Sequence, residues 1–375
     1  MRFFMLIIIF FTFFDLFAQL PIMSTFAVSL GATPFLAGLA VGMYSLSNII
    51  GNILSGIYSD KKGPYAVLVA GLVATGILLF AYALADGPYS LLAIRFVHGL
   101  AAGLTVPAAF TYMANTADKQ KRGKSAAVSG AFVGLAAIVG PAFGAIYASR
   151  TSTPEMMALT GMLLLALGII AFFLLKRRTF SPKTAFPAKE PLSAVVWNRG
   201  LLIAFSGAFF LMFSQGVLAY MLPLKVEGLE YSSEMSGLLL STFGISAILV
   251  FLLPINRIFD KIAPIRTLIF GFLLMGASLF LLSTVSDAPW MYAAMCLYGI
   301  GFAFLFPSIN SLLIDSTDSR FRGKAYGYFY AFFSLGVVGG SSFTGALELN
   351  PDEGFMVSGG LLLTVAVLTL LLRKK

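Results

Sequence analysis

The chain has 375 residues, of which 59% are hydrophobic and only 11% charged, and its formal net charge is +9. So much apolar surface lacks charged cover in water, which excludes an ordinary soluble domain. The basic residues are scattered over short segments rather than gathered on one face, which excludes a nucleic-acid-binding reading of the charge.

Twelve apolar stretches follow one another along the chain, each long enough to cross a bilayer core as a helix. They lie near Phe3–Met23, Phe35–Tyr58, Pro64–Ala85, Tyr89–Asn115, Ser125–Ser149, Glu155–Leu175, Gly200–Pro223, Met235–Leu253, Ala263–Thr284, Pro289–Ile314, Ala325–Leu347 and Gly354–Leu372. They are too long for barrel strands and do not alternate. The first stretch opens like a secretory signal, with Met1 and Arg2 before an apolar run. That run is too long for a signal core and no small-residue cleavage site follows it, so it is expected to be a retained first helix. The expected fold is an all-α membrane protein of twelve transmembrane helices.

Charge placement predicts the orientation. With the N-terminus inside, all of the 25 Lys and Arg residues except Arg95, Arg150 and Lys225 fall in cytoplasmic segments. Lys and Arg are retained on that side during insertion, so both termini are expected to be cytoplasmic. Cys296, the only cysteine, permits no internal disulfide and reads as a small packing residue.

The chain also repeats at an offset of 200 residues. Thr116–Ser125 (TADKQKRGKS) aligns with Ser316–Ala325 (STDSRFRGKA), and Asp60-Lys61 with Asp260-Lys261. Pro64 aligns with Pro264, Gly99 with Gly299 and Pro107 with Pro307. Several matches in one register indicate an internal repeat. The organisation predicted is a six-helix bundle over 1–175, a linker over 176–199 and a second six-helix bundle over 200–375. The linker is basic and carries Pro182, Pro187 and Pro191; its Lys176-Arg177-Arg178 cluster reads as a positive-inside anchor. Pseudo-symmetric six-helix halves are a transporter architecture, with substrate handled where the repeats meet.

Three local motifs, Gly56–Tyr65 (GIYSDKKGPY), Arg95 with Gly99 and Gly103, and Gly140-Pro141 with Gly144 and Ala145, give the chain a resemblance to the major facilitator superfamily over almost its whole length. Gly56–Tyr65 (GIYSDKKGPY) resembles the family's loop between helices 2 and 3, with Gly56, Asp60, Lys61 and Gly63 in place and Pro64 and Tyr65 where further basic residues stand. In helix 4, Arg95, Gly99 and Gly103 fit the pattern of an intramembrane arginine followed by glycine, with His98 at a position often held by glutamine. In helix 5, Gly140, Pro141, Gly144 and Ala145 resemble the G-P-x-x-G-[GA] signature of drug:proton antiporters, and the second half has Ser341 and Thr344 instead of Pro141 and Gly144. The resemblance implies a gating role for Gly56, Asp60, Lys61 and Gly63. On physical grounds Gly56 is expected to permit close helix approach, Gly63 a tight turn, and Asp60 a seat against a helix N-terminus.

Asp15 and Arg95 are the clearest ionisable residues deep in apolar helices. Such residues are costly unless they face a cavity or each other. At 1.5 Å per residue Asp15 lies about 18 Å from the cytoplasmic end of helix 1. Arg95 lies about 9 Å from the outer end of helix 4, so about 21 Å from the cytoplasmic side of a core about 30 Å thick. The two are expected at similar depth, with Asp15 as the proton-binding carboxylate and Arg95 tuning it, since burial and a nearby cation act on a carboxylate in opposite senses. Their repeat counterparts, Gln215 and Met295, are uncharged. Gln19, His98, Gln215 and Asn310 are candidate cavity-lining residues, with His98, the only histidine, expected to pack beside Arg95.

No G-x-x-x-x-G-K-[ST] loop is present, and one histidine, one cysteine and scattered carboxylates leave little for a metal centre or a catalytic triad. No enzyme activity, cofactor or metal is expected. The resemblance implies a multi-pass transporter of the plasma or inner membrane that works by alternating access, and the helix 5 motif implies proton-coupled efflux of drugs or other small amphiphiles. Export of a metabolite, sugar or siderophore and proton symport for uptake remain as alternatives. The partners expected are a small-molecule substrate, protons and the lipid bilayer, with the chain acting as a monomer.

Overall fold

The computed structural model describes residues 2–116, 122–175, 199–252, 262–316 and 322–373. Among them it is all-helical, without strands. Seven helices come before the predicted linker: α1 (Arg2–Ala18), α2 (Met23–Ser29), α3 (Pro34–Lys62), α4 (Pro64–Phe80), α5 (Pro88–Thr116), α6 (Arg122–Arg150) and α7 (Thr153–Leu174). A single 3-10 turn, η1 (Ala81–Leu84), extends α4. Six more follow: α8 (Arg199–Gly228), α9 (Glu234–Leu252), α10 (Pro264–Thr284), α11 (Ala288–Asp315), α12 (Arg322–Ala346) and α13 (Pro351–Arg373).

Helices occupy all twelve predicted stretches. Among the described residues nine are long and apolar enough to cross a membrane, and α1 with α2 makes a tenth if that bent pair is one span. The predicted linker 176–199, except Arg199, and most of the charged repeat loops lie outside the described residues.

Proline sets several helix starts, where its missing N–H is no loss. Thr33 caps α3 ahead of Pro34, its hydroxyl accepting from the Leu36 amide, and Ser152 caps α7 in the same way through the Glu155 amide. Gly63, at φ +86°, makes the sharp turn between α3 and Pro64 of α4 that its sequence position predicts.

Two boundaries differ from the sequence reading. The first stretch is not one straight helix to Met23; α1 stops at Ala18 and α2 departs at a bend of 48°. Pro21 is the cause, because it has no N–H to continue the ladder. Beyond it the amides of Ile22 and Met23 both turn back to the Gln19 carbonyl. The second difference is α8, which runs past Pro223 to Gly228. Its last turn is held by buried Lys225, which donates to the Leu282 carbonyl at 2.6 Å and pairs with Asp352 at 2.5 Å.

The chain divides into two compact units, Met1–Phe186 with Ser233–Gly237, and Pro187–Ser232 with Leu238–Lys375. In the first, α3 packs on α5, α4 on α5 and α7, and α1 on α6. In the second, α8 packs on α12, α11 and α13, and α10 on α11 and α13.

Candidate functional site

The polar centre of the first unit begins at the end of α1. Asp15 and Gln19 are one helical turn apart, so they share a face. Pro21 ends the helix just beyond them, which leaves the Asp15 carbonyl among the last, underused acceptors of α1. Gln19 Nε2 fills that need, donating at 2.8 Å both to the Asp15 carbonyl and to its Oδ1. Both side chains are buried.

Arg95 and His98 arrive from α5, again one turn apart. The α3–α5 crossing that presents them is seamed by glycine. A Cβ on Gly103 would lie 2.6 Å from the Asn48 carbonyl oxygen, and one on Gly99 would collide with the Tyr44 carbonyl. Close backbone approach lets Arg95 reach the main chain of α3: Nε donates to the Ala40 carbonyl at 2.8 Å and Nη2 to that of Val41 at 3.0 Å. Nη1 donates to Gln19 Oε1 and, at 3.5 Å, to the Tyr82 hydroxyl. The guanidinium carbon also stands 5.3 Å from the centroid of the Tyr44 ring, a cation–π distance.

His98 is fully buried. Its Nε2 is 3.2 Å from Asp15 Oδ2 and its Nδ1 is 3.0 Å from the Tyr82 hydroxyl. Tyr44 meets the ring edge-on at 5.1 Å. Five side chains therefore close a hydrogen-bonded ring: Arg95, Gln19, Asp15, His98, Tyr82 and back to Arg95. One pole can only donate and the other, when ionised, can only accept.

This arrangement refines one sequence expectation and corrects another. Asp15 and Arg95 come together at one centre but make no direct ion pair, since Gln19 and His98 stand between them. His98 is no packing residue beside Arg95, because both its ring nitrogens are hydrogen-bonded. Tyr82 and Tyr44 were not singled out from the sequence. Neither carries a sequence signal, for a tyrosine in an apolar run looks the same whether or not its hydroxyl has a partner.

The other candidates lie apart from the ring. In the helix 5 motif, Pro141 sits within α6, and Gly140 and Gly144 press on α1. A Cβ on Gly140 would be 2.9 Å from that of Phe17, and one on Gly144 would overlap the Ala18 carbonyl. In the gating loop, Gly56 has nothing within 4 Å of a built Cβ. Among the described residues the close approach expected there is not made, and the helix crossing runs through Gly51, Gly99 and Gly103 instead. Asp60 and Lys61 lie in the last turn of α3, and their side chains are outside what is described. Gln215 is half-buried on α8, and Asn310 donates to the Phe306 carbonyl of its own helix at 3.0 Å.

A family model described as Major Facilitator Superfamily matches residues 5–249 and again 204–375. The chain belongs to the Major Facilitator Superfamily. It is accordingly a multi-pass transporter of the plasma membrane and not an enzyme. Among its relatives is the multi-drug resistance efflux pump PmrA of Streptococcus pneumoniae, 26% identical over 85% of this chain and 82% of PmrA. Another is the multidrug resistance protein MdtG of Escherichia coli, 22% identical over 93% of this chain and 88% of MdtG. Among solved structures, the nucleoside transporter NupG superposes with a TM-score of 0.76 at 14% identity, covering 100% of this chain and 99% of NupG. A bacterial homologue of the lysosomal transporter Spinster, in an inward-facing conformation, scores 0.78 at 13% identity, covering 98% of this chain and 94% of that one. At such identities these structures speak for the fold alone.

Within this superfamily member the two units are chemically unlike. At the repeat position of His98 stands Tyr298, buried and hydrogen-bonded to Ser214 at 2.8 Å. Ser341 and Thr344, at the positions of Pro141 and Gly144, turn their hydroxyls to the carbonyls of Val337 and Gly340 in their own helix. Neither Tyr298 nor Ser214 is an acid or a base of the kind Asp15 and Arg95 supply, and the buried charge of the second unit among the described residues, Lys225, lies at the end of α8 instead.

Proposed function

We propose that the protein exports small amphiphilic compounds in exchange for protons by alternating access. In this reading Asp15 is the proton-binding carboxylate and Arg95 the charge that sets when the proton is held. The observation that carries it is a buried carboxylate, 2% exposed, bonded to the one histidine of the chain and linked through Gln19 to a buried arginine. Unpaired ionisable groups in a bilayer are costly, and those retained there usually serve proton or substrate pathways. The names of PmrA and MdtG support efflux of drugs, and the motif of Gly140, Pro141 and Gly144 supports antiport.

The remaining parts follow the same model. Residues 1–175 and 200–375 act as two six-helix halves of a twelve-span monomer, joined through 176–199, with both termini cytoplasmic. The loop carrying Gly56, Asp60, Lys61 and Gly63 serves as a gate, and Gln19 and His98 face the transport path. A proton moving down the membrane potential yields about 2.3 kcal/mol per 100 mV, which drives the export step.

Everted vesicles holding a pre-formed proton gradient test the proposal, with ethidium as the probe compound. Addition of the dye to wild type dissipates the gradient, and Asp15→Asn abolishes that response while the protein stays inserted. Full coupling in Asp15→Asn overturns the assignment. Dye-dependent alkalinisation in the opposite sense identifies a symporter.

A further inference from the structure

The donor and acceptor directions around the ring can be worked out from its two poles. Ionised Asp15 is acceptor-only, so at 3.2 Å the proton between it and His98 must sit on Nε2. Neutral imidazole carries one proton, so Nδ1 presents a lone pair and the Tyr82 hydroxyl donates to it. The tyrosine oxygen is then free to accept from Arg95 Nη1. Gln19 completes the other side, its amide donating to Asp15 and its carbonyl accepting from Arg95. Every link has one donor and one acceptor.

One added proton breaks this consistency in a defined way. If His98 takes it, both ring nitrogens are protonated. If Asp15 ends with it on Oδ2, that is the Nε2 proton handed across the 3.2 Å contact while Nδ1 takes the added one, so that Oδ2 now donates to Nε2. Either way Nδ1 ends protonated. A proton on Oδ1 is disfavoured, because that oxygen faces the Gln19 amide, itself a donor, and the ring offers such a proton no acceptor. The Tyr82 oxygen then has to accept from both His98 and Arg95, and its own proton loses its acceptor. Of the links in the ring, Arg95 to Tyr82 is the longest at 3.5 Å, and it is the one that yields.

We propose that His98 shares the transported proton with Asp15 through its Nε2, and that Tyr82 is the positioning residue that reports its arrival by reversing the hydrogen bond to Nδ1 and releasing Arg95. This rests on the proton-coupling reading above and deepens it. The groups facing the imidazole are Asp15 from α1, Tyr44 from α3 and Tyr82 from η1, and Arg95 of its own helix is linked to it through Tyr82 and through Gln19 and Asp15. Tyr82 sits in the 3-10 turn that ends α4, so freeing it from Arg95 leaves its hydroxyl tied to α5 through His98 alone.

The chain has a single histidine, which makes the test unusually clean. Protein labelled with ¹⁵N-histidine and purified through a histidine-free tag gives one pair of ring-nitrogen resonances. In wild type the high-pH spectrum shows Nε2 protonated and Nδ1 bare, and acidification protonates Nδ1. Asp15→Asn loses the fixed Nε2–H tautomer. Tyr82→Phe keeps Nδ1 protonation, but the accessibility of a cysteine introduced in place of exposed Leu84, in a Cys296→Ser background, no longer follows pH. A bare Nε2 at high pH, or an Nδ1 that never gains a proton over the pH range of transport, overturns the proposal. So does a pH-dependent η1 in Tyr82→Phe. Failure of the broader reading looks different: Asp15→Asn vesicles stay coupled whatever the histidine resonances do.

Discussion

Arg95 is held by four acceptors on three different segments: the Ala40 and Val41 carbonyls, Gln19 and Tyr82. The planar fork of guanidinium meets them together, whereas a lysine ammonium is a single point on a flexible stem. Arg95→Lys is therefore expected to keep the charge and still fail structurally. It should lower stability by about 2–3 kcal/mol through the acceptors left bare, read as a fall in the melting temperature of the purified protein. Arg95→Leu strands Asp15 and His98 beside no cation and should cost more, about 3–5 kcal/mol. A melting temperature for Arg95→Lys equal to wild type would show that the fork geometry is not what holds the site. Part of this centre was readable from one-turn spacing. Asp15 with Gln19, and Arg95 with His98, had to share helix faces. The partner of each was not readable, because an estimate of depth puts Asp15 and Arg95 level without saying that Gln19 stands between them. Tyr82 was hidden for a different reason: it reaches His98 from a 3-10 turn whose geometry no apolar run reveals.

At the scale of helices, the site depends on how closely two backbones approach. Gly99 lies directly against Tyr44 and Ser47 on α3, with no room for a Cβ. Gly99→Ala is expected to push α3 from α5, cost about 1–3 kcal/mol, and cut transport because Arg95 loses its reach to Ala40 and Val41. Gly56→Ala, on the same helix α3 but facing open space, is the matched control. It should be neutral or slightly stabilising, since alanine favours a helix over glycine by up to about 1 kcal/mol. Thermal stability of the two variants side by side decides the matter, and equal losses would contradict the crossing described here. The sequence showed both glycines and could not rank them, because spacing alone does not say which face of α3 meets a neighbour. Helix ends were legible where proline or glycine set them, as at Pro34, Gly63 and Pro264. They were misjudged at Pro21, read as lying inside a span, and at Pro223, read as an end. A further asymmetry belongs to this scale. Lys225 is buried while Asp352 is largely exposed. Asp352→Asn leaves a buried ammonium without its counter-charge, whereas Lys225→Met leaves a carboxylate that water can reach. Asp352→Asn is expected to be the more destabilising, by about 1–2 kcal/mol; the reverse order of melting temperatures would mean that the pair does not anchor the end of α8.

Across the whole molecule, a repeat in sequence has become a division of labour. The two units share the 200-residue register of loops, prolines and glycines, and the offset places His98 opposite Tyr298 and Asp15 opposite Gln215. Fold-setting residues are held in common, whereas the linked acid, arginine and imidazole lie in the first unit and the second unit's buried Lys225 serves a helix end. Ser214 and Tyr298 form a neutral hydrogen bond at 2.8 Å, which has no charge to gain or lose with a proton near neutral pH. Tyr298→Phe should therefore behave as a stability variant, losing about 1 kcal/mol for one buried hydrogen bond while dye-driven proton movement per molecule stays at the wild-type level. Asp15→Asn should do the converse, keeping an inserted, folded protein and losing proton movement. Measuring melting temperature and proton flux on the same preparations places each variant on both axes. If Tyr298→Phe abolished coupling at wild-type stability, the second unit would have to carry proton chemistry of its own, and confinement of that chemistry to the first unit would have to be abandoned.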